Sequence, residues 1–331
     1  MAFREILQTL TIGCIFVSCS IPNTPMTPNP AGFHHVEDSV SDGLEIKALA
    51  SDGKSAVAVT YEGIILYSGD GAAWEKVADT DVNFNAVTYG EGYYFAGGEE
   101  GGAAFSVDGK EWKTGVVIPM SPKDIYGVAA GKIMGNSMFV AVGNDGRIAY
   151  SIGGPQGKWD KGNFSPFGEV DDAGETIHAV AYGVVDGAGV FVAVGDDGKI
   201  AFANDLSGRW SGARSGSSWT LSAVAFGNDK FVTVGENGIV RYCTDPVETY
   251  DWRVGDSKIF GNISLIGISF NPFKEIFVVF GEQYAVGYSD YAHSWEAASF
   301  QSVFNSGISA VVSMNSRIIL AGSDGTILYS N

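Results

Sequence analysis

Ala179-Val-Ala-Tyr-Gly183 is followed by Phe191-Val-Ala-Val-Gly-Asp-Asp-Gly-Lys-Ile200. These are two apolar runs, a tight acidic turn and the start of a third run. The same succession returns at Ala223-Val-Ala-Phe-Gly227 and Phe231-Val-Thr-Val-Gly-Glu-Asn-Gly-Ile239. A recurring segment fixes architecture before any single motif does, because each copy can bury its apolar faces only against its neighbours. Aligned on the second residue of the first run, seven copies sit at Leu49, Val87, Val128, Val180, Val224, Ile268 and Val311. Their spacing of roughly forty to fifty residues is that of one four-stranded propeller blade.

Within a copy, the first run (Asn85-Ala-Val-Thr-Tyr89) and the second (Met138-Phe-Val-Ala-Val142) are apolar on both faces, as strands near the centre must be. The third alternates (Arg147-Ile-Ala-Tyr-Ser151), which suits a strand nearer the rim. A tryptophan opens the fourth: Trp74, Trp112, Trp159, Trp210, Trp252 and Trp295. The seventh copy runs to Gly325-Thr-Ile-Leu-Tyr-Ser330 and has no tryptophan. A ring of sheets must close, since an unpaired edge is sticky. Phe33–Val40 therefore supplies the missing rim strand, and the expectation is an all-β, seven-bladed propeller over residues 33–331 whose last blade is closed by an N-terminal strand.

Two copies read Ser68-Gly-Asp-Gly-Ala-Ala-Trp74 and Ser106-Val-Asp-Gly-Lys-Glu-Trp112 before the fourth strand. This resembles the Asp-box hairpin of sialidase-like (BNR) propellers. The Ala-Val-Ala-Tyr-Gly and Phe-Val-Ala-Val-Gly runs resemble still more closely the repeats of photosystem II assembly factors of the Ycf48/HCF136 type. The resemblance covers roughly residues 46–331 and implies a propeller fold; it does not carry the photosystem role across. The Asp box itself is a turn device, with Ser and Asp side chains satisfying backbone groups and Gly taking a positive φ.

The chain has 331 residues, 45% of them hydrophobic, enough to bury a core. Its net charge of −18 argues against nucleic acid, which needs a basic stripe. At the N-terminus, Leu10–Val17 is apolar but too short to span a bilayer, and Phe16-Val17-Ser18-Cys19 follows. This resembles a bacterial lipoprotein signal over residues 1–18, with lipidation at Cys19. The alternative is an ordinary secretory signal cut near Ser18–Ser20. Residues 19–32 hold Pro22, Pro25, Pro28 and Pro30 and read as an extended tether. The expected location is the cell envelope, on the outer or periplasmic face of a bacterial membrane. Cys243 would be a buried small hydrophobe.

No catalytic residues are assigned. A sialidase needs three arginines gripping a carboxylate, a Tyr–Glu nucleophile pair and an aspartic acid. Arg147, Arg209, Arg214, Arg241, Arg253 and Arg317 are not spaced to meet at one level. A glycan-active or glycan-binding propeller is nonetheless the alternative function. His178 has no second histidine or cysteine at ligand spacing, so a structural role is expected and no metal site is assigned. A calcium-stabilised ring is a further possibility.

One constellation comes from the repeat. The turn between second and third strands is acidic in every copy: Glu62, Glu99 and Glu100, Asp145, Asp196 and Asp197, Glu236, Glu282, and Asp324. Asp belongs in tight turns on backbone grounds, but Glu does not. These carboxylates would ring one mouth of the disc and attract a basic protein segment or divalent cations. The expected function is a non-catalytic interaction or assembly module acting through that face.

Overall fold

The computed structural model describes residues 32–36, 40–41, 43–162, 167, 174–248, 252–299, 304 and 307–330. Residues 1–18, expected to be a signal, Cys19 and the expected tether up to residue 31 lie outside the described residues. Seven four-stranded antiparallel sheets form the ring. Blade 4 is typical, with Ile177–Val185 innermost, then Ala188–Gly195, Lys199–Ala203 and Ser211–Arg214 at the rim. Blade 7 takes Ile308–Met314, Arg317–Gly322 and Ile327–Ser330 from the end of the chain and its rim strand, Phe33–His35, from the beginning. Phe33 pairs with Ser330 and His35 with Leu328, so the ring closes as expected.

The core lies between blades. Val192, Val194 and Phe202 of blade 4 pack against Leu221, Val224 and Phe231 of blade 5. The same contact closes the circle, with Ala310, Ile319 and Ala321 of blade 7 against Ile46, Ala58 and Leu66 of blade 1. Cys243 is buried in the blade 4–5 core, and burial pushes its thiol up.

The aromatic residues and glycines near the ends of several first runs have a packing reason. The Tyr182 ring of blade 4 lies over Gly131 of blade 3, Phe226 over Gly183, and Phe270 over Gly227. The inner strands of blades 4, 5 and 6 thus seat an aromatic residue on the bare backbone of the previous blade, where a Cβ would sit 2.1 to 2.3 Å from ring carbons. Radially arranged sheets crowd most at the centre, and glycine there makes room for the ring.

The Ser-x-Asp-Gly turns close by side-chain hydrogen bonds. In blade 2 the Asp108 carboxylate accepts the N–H groups of Lys110 and Glu111, each at 2.9 Å, while Ser106 Oγ accepts that of Gly109. Gly109 takes φ 77. Blade 1 repeats this with Asp70, Ala72, Ala73 and Gly71. The indole N–H groups of Trp74, Trp112 and Trp159 donate to turn carbonyls, whereas those of Trp210, Trp252 and Trp295 find no acceptor among the described residues.

These bonds hold the carboxyls of Asp108 and Asp70 below their ordinary value, through Glu111 and Lys110 for the first and chiefly Ala73 for the second. A depressed carboxyl stabilises the fold above its unfolded pKa and loses that contribution as pH falls through the folded one. Asp108→Ala should therefore lower the melting temperature at pH 7, and the deficit against the parent should shrink below about pH 4. Melting curves from pH 7 to 2 that keep a constant deficit would contradict the role given to the carboxylate.

Candidate functional site

Two faces follow from the strand directions. On one lie the turns between second and third strands, together with the linkers that lead into each inner strand; we call it the turn face. Their proximity is shown by backbone bonds, such as Asp196 N–H to Thr176 O and Glu236 N–H to Thr220 O. The other is the entry face, because Phe33 pairs with Ser330, the far end of the third strand, so the chain enters the ring on that side.

The nine sequence-predicted carboxylates all fall on the turn face, in two kinds of position. In blades 2 to 6 the turn is a short 3-10 segment whose middle residue has left-handed backbone: Glu100, Asp145, Asp197, Asn237 and Gln283, with φ between 54 and 57. The residue before it points back at its own blade. Asp196 Oδ2 accepts the Thr176 N–H at 2.9 Å and Glu236 Oε2 the Thr220 N–H at 3.3 Å, and the Asn144 amide does the same for Asp124. Glu62 does so from the middle position in blade 1, on Glu45 N–H. Glu99 accepts from Asn83 and from Tyr61 of the preceding blade. Asp324 accepts the Thr326 N–H and Asp145 pairs with Lys123 at 2.9 Å. Glu62, Glu99, Asp196, Glu236 and Asp324 thus help to fasten turns or strand entries.

Glu100, Asp197 and Glu282 are different: they are exposed, and their carboxylates bond to no described residue. Most cations nearby are committed, the Arg214 side chain being exposed and without a bond to a described residue. Lys199 pairs with Glu175, Arg241 donates to Ser215 O and Val240 O, and Arg147 donates to the carbonyls of Pro119, Met120 and Ser121. Unpaired negative charge therefore remains on this face. The entry face carries carboxylates too: Asp70, Asp108, Asp205 and Asp245 bond to backbone N–H groups of their own turns, while the side chains of Asp186, Asp229 and Glu275 in the hairpins between first and second strands are exposed and bond to no described residue.

A second ring was not anticipated. Every inner strand carries a β-bulge one residue after its start. The extra residue is Lys47, Asn85, Tyr126, His178, Ser222, Ile266 or Ser309. A bulge re-aims a side chain out of the ladder, and these seven surround the channel mouth on the turn face. The signal was available, since each lies two positions before the alignment residue of its copy. His178 belongs to this ring; its Nε2 lies 2.7 Å from Asp196 Oδ1, so it braces the turn as a structural histidine would.

Glycosidase geometry is not assembled among the described residues. The inner strands contain no arginine, Arg147 and Arg241 are committed to linker carbonyls, and Arg317 donates to Asp70 O on the entry face. Among the described residues no three His, Cys, Asp or Glu side chains lie close enough to hold a metal ion.

A scan against protein-family models finds no match, and no curated protein matches the sequence. Solved structures do match. YCF48 from Cyanidioschyzon merolae superposes with a TM-score of 0.67 at 17% identity, covering 91% of this chain and 99% of that one. YCF48 bound to D1 peptide gives 0.67 and 17%, covering 94% and 97%. The WD40 propeller domain of Doa1 gives 0.68 and 13%, covering 91% and 97%. At these identities the likeness establishes the seven-bladed fold.

Proposed function

We propose that this chain is a membrane-anchored, non-catalytic propeller of the bacterial cell envelope, lipidated at Cys19, that docks a basic segment of a partner protein on its turn face. The observation that carries this reading is the polarity of the ring. Phe33 begins the closing strand on the entry face, so a tether attached there would leave the turn face, with the unpaired carboxylates of Glu100, Asp197 and Glu282, directed away from the anchor. The likeness to YCF48, a propeller solved with a bound peptide, supports a peptide-binding role for this architecture.

The test follows from sorting the carboxylates. Neutralising Asp196 or Glu236 would loosen turns as well as remove charge, so those variants confuse folding with binding. Glu100→Gln, Asp197→Asn and Glu282→Gln together remove three unpaired charges while leaving the caps in place. Partner capture by the intact protein from its own membranes should fall about tenfold at low salt, if each of the three exposed charges contributes about 0.5 kcal/mol. The deficit should shrink at high salt, where the fields are screened. Capture that is unchanged by the triple variant and insensitive to salt rules out this surface.

A further inference from the structure

Blade 6 breaks the repeat at three positions, and all three border one cavity. At the inner-strand bulge, where the other blades place Lys, Asn, Tyr, His or Ser, it places Ile266, which is 45% exposed. At the close of the turn, where the other blades have Gly63, Gly101, Gly146, Gly198, Gly238 and Gly325, it has Tyr284. Tyr284 is held at φ 60, a left-handed backbone that bulky L-residues avoid. Strain of this kind persists only where its surroundings enforce it, and it gathers at ligand-binding positions. At the start of the same turn stands Glu282, whose carboxylate caps nothing, unlike those of Asp196 and Glu236.

The cavity measures about 500 Å³ and opens on the turn face between blades 6, 7 and 1. Ile266, Tyr284 and Ile308 give it an apolar side, and Glu282, Lys47 and Ser309 a polar one. Lys47 is paired with Glu45 at 3.0 Å, so the charge left without a partner is that of Glu282. No other blade combines an apolar residue at the bulge with an aromatic residue closing the turn.

We propose that this cavity is the anchor pocket for a partner segment in which an aliphatic or aromatic side chain stands next to Lys or Arg. The apolar side chain packs on Ile266 and Tyr284, and its basic neighbour meets Glu282. This rests on the reading of the turn face as a docking surface and narrows it to one place and one chemistry. A volume of several hundred Å³ suits two or three side chains of a peptide. Pairing an apolar anchor with a single charge gives both affinity and register.

The probe is a displayed library of random twelve-residue peptides, selected on the immobilised full chain and retested against two variants. Ile266→Ser installs the residue that blades 5 and 7 carry at this place, and Glu282→Gln removes only the charge. Both positions are exposed, so melting temperatures should stay at the parent value. The expected result is enrichment of peptides with an apolar residue beside Lys or Arg. Their affinity should drop about tenfold in Ile266→Ser and severalfold in Glu282→Gln. Enriched peptides that lack such a pair, or that bind both variants as tightly as the parent, overturn the pocket. If those peptides instead lose affinity in Glu100→Gln with Asp197→Asn, the turn face still docks basic segments, elsewhere on its surface. Failure to enrich any peptide counts against both readings.

Discussion

Removing residues 1–36 should open the ring, whereas removing residues 1–31 should not. The difference between the two truncations is the strand Phe33–His35, the rim of blade 7. Phe33 is 2% exposed and packs in a cluster with Ile276, Val278, Val286, Ile318 and Leu328, so one side chain links blades 6 and 7. Replacing it with alanine alone should cost about 3–5 kcal/mol, as for other buried aromatic residues. Losing the whole strand also leaves Ile327–Ser330 as a bare apolar edge, a template for association. Urea unfolding followed by fluorescence should give a much lower midpoint for the longer truncation, and light scattering should show aggregation. Equal midpoints would mean that the ring closes without its N-terminal strand.

The second large effect is expected at the channel wall. Gly227→Ala adds a single methyl group, yet that carbon would fall 2.1 Å from Cγ of the Phe270 ring. The backbone of Gly227 is not left-handed, so the penalty comes from packing alone. Overpacking costs typically 1–3 kcal/mol, and a clash with a wedged ring belongs at about the upper end. Phe270→Ala should be costly alone but should relieve Gly227→Ala. In a double-mutant cycle measured by denaturant unfolding, the pair is expected to cost less than the sum of the singles. Strict additivity would show that the ring does not rest on the glycine.

Those two positions also show what could be read from the sequence. The period of the repeat and the missing seventh tryptophan are statements about strand number, and a closed ring leaves one way to satisfy them. Phe33 could therefore be placed in blade 7 before any coordinate was known. The Tyr-Gly and Phe-Gly endings were visible as a pattern, but their cause lies between blades, where Tyr182 meets Gly131 across a gap of fifty residues in the chain.

The acidic turns were legible as a set and not as individuals. Asp196 and Asp197 are neighbours with the same side chain. The first returns to the Thr176 N–H, while the second sits on left-handed backbone and faces solvent. Position within a three-residue turn decides this, and residue type alone does not reveal it. Glu62 shows the limit, since in blade 1 the middle residue makes the cap. Ile266 and Tyr284 were plain departures from the repeat, but they acquire meaning only when the ring brings blade 6 beside blades 7 and 1.

The most direct test of the central claim asks which face meets the partner in the intact envelope. A photocrosslinking amino acid would be placed at Glu100 or Asp197 on the turn face, and at Met134 or Phe273 on the entry face, all four being exposed. Irradiation of whole cells should give a discrete protein adduct from positions 100 and 197 and none from 134 and 273. Adducts from 134 and 273 alone would place the partner on the entry face and contradict the account.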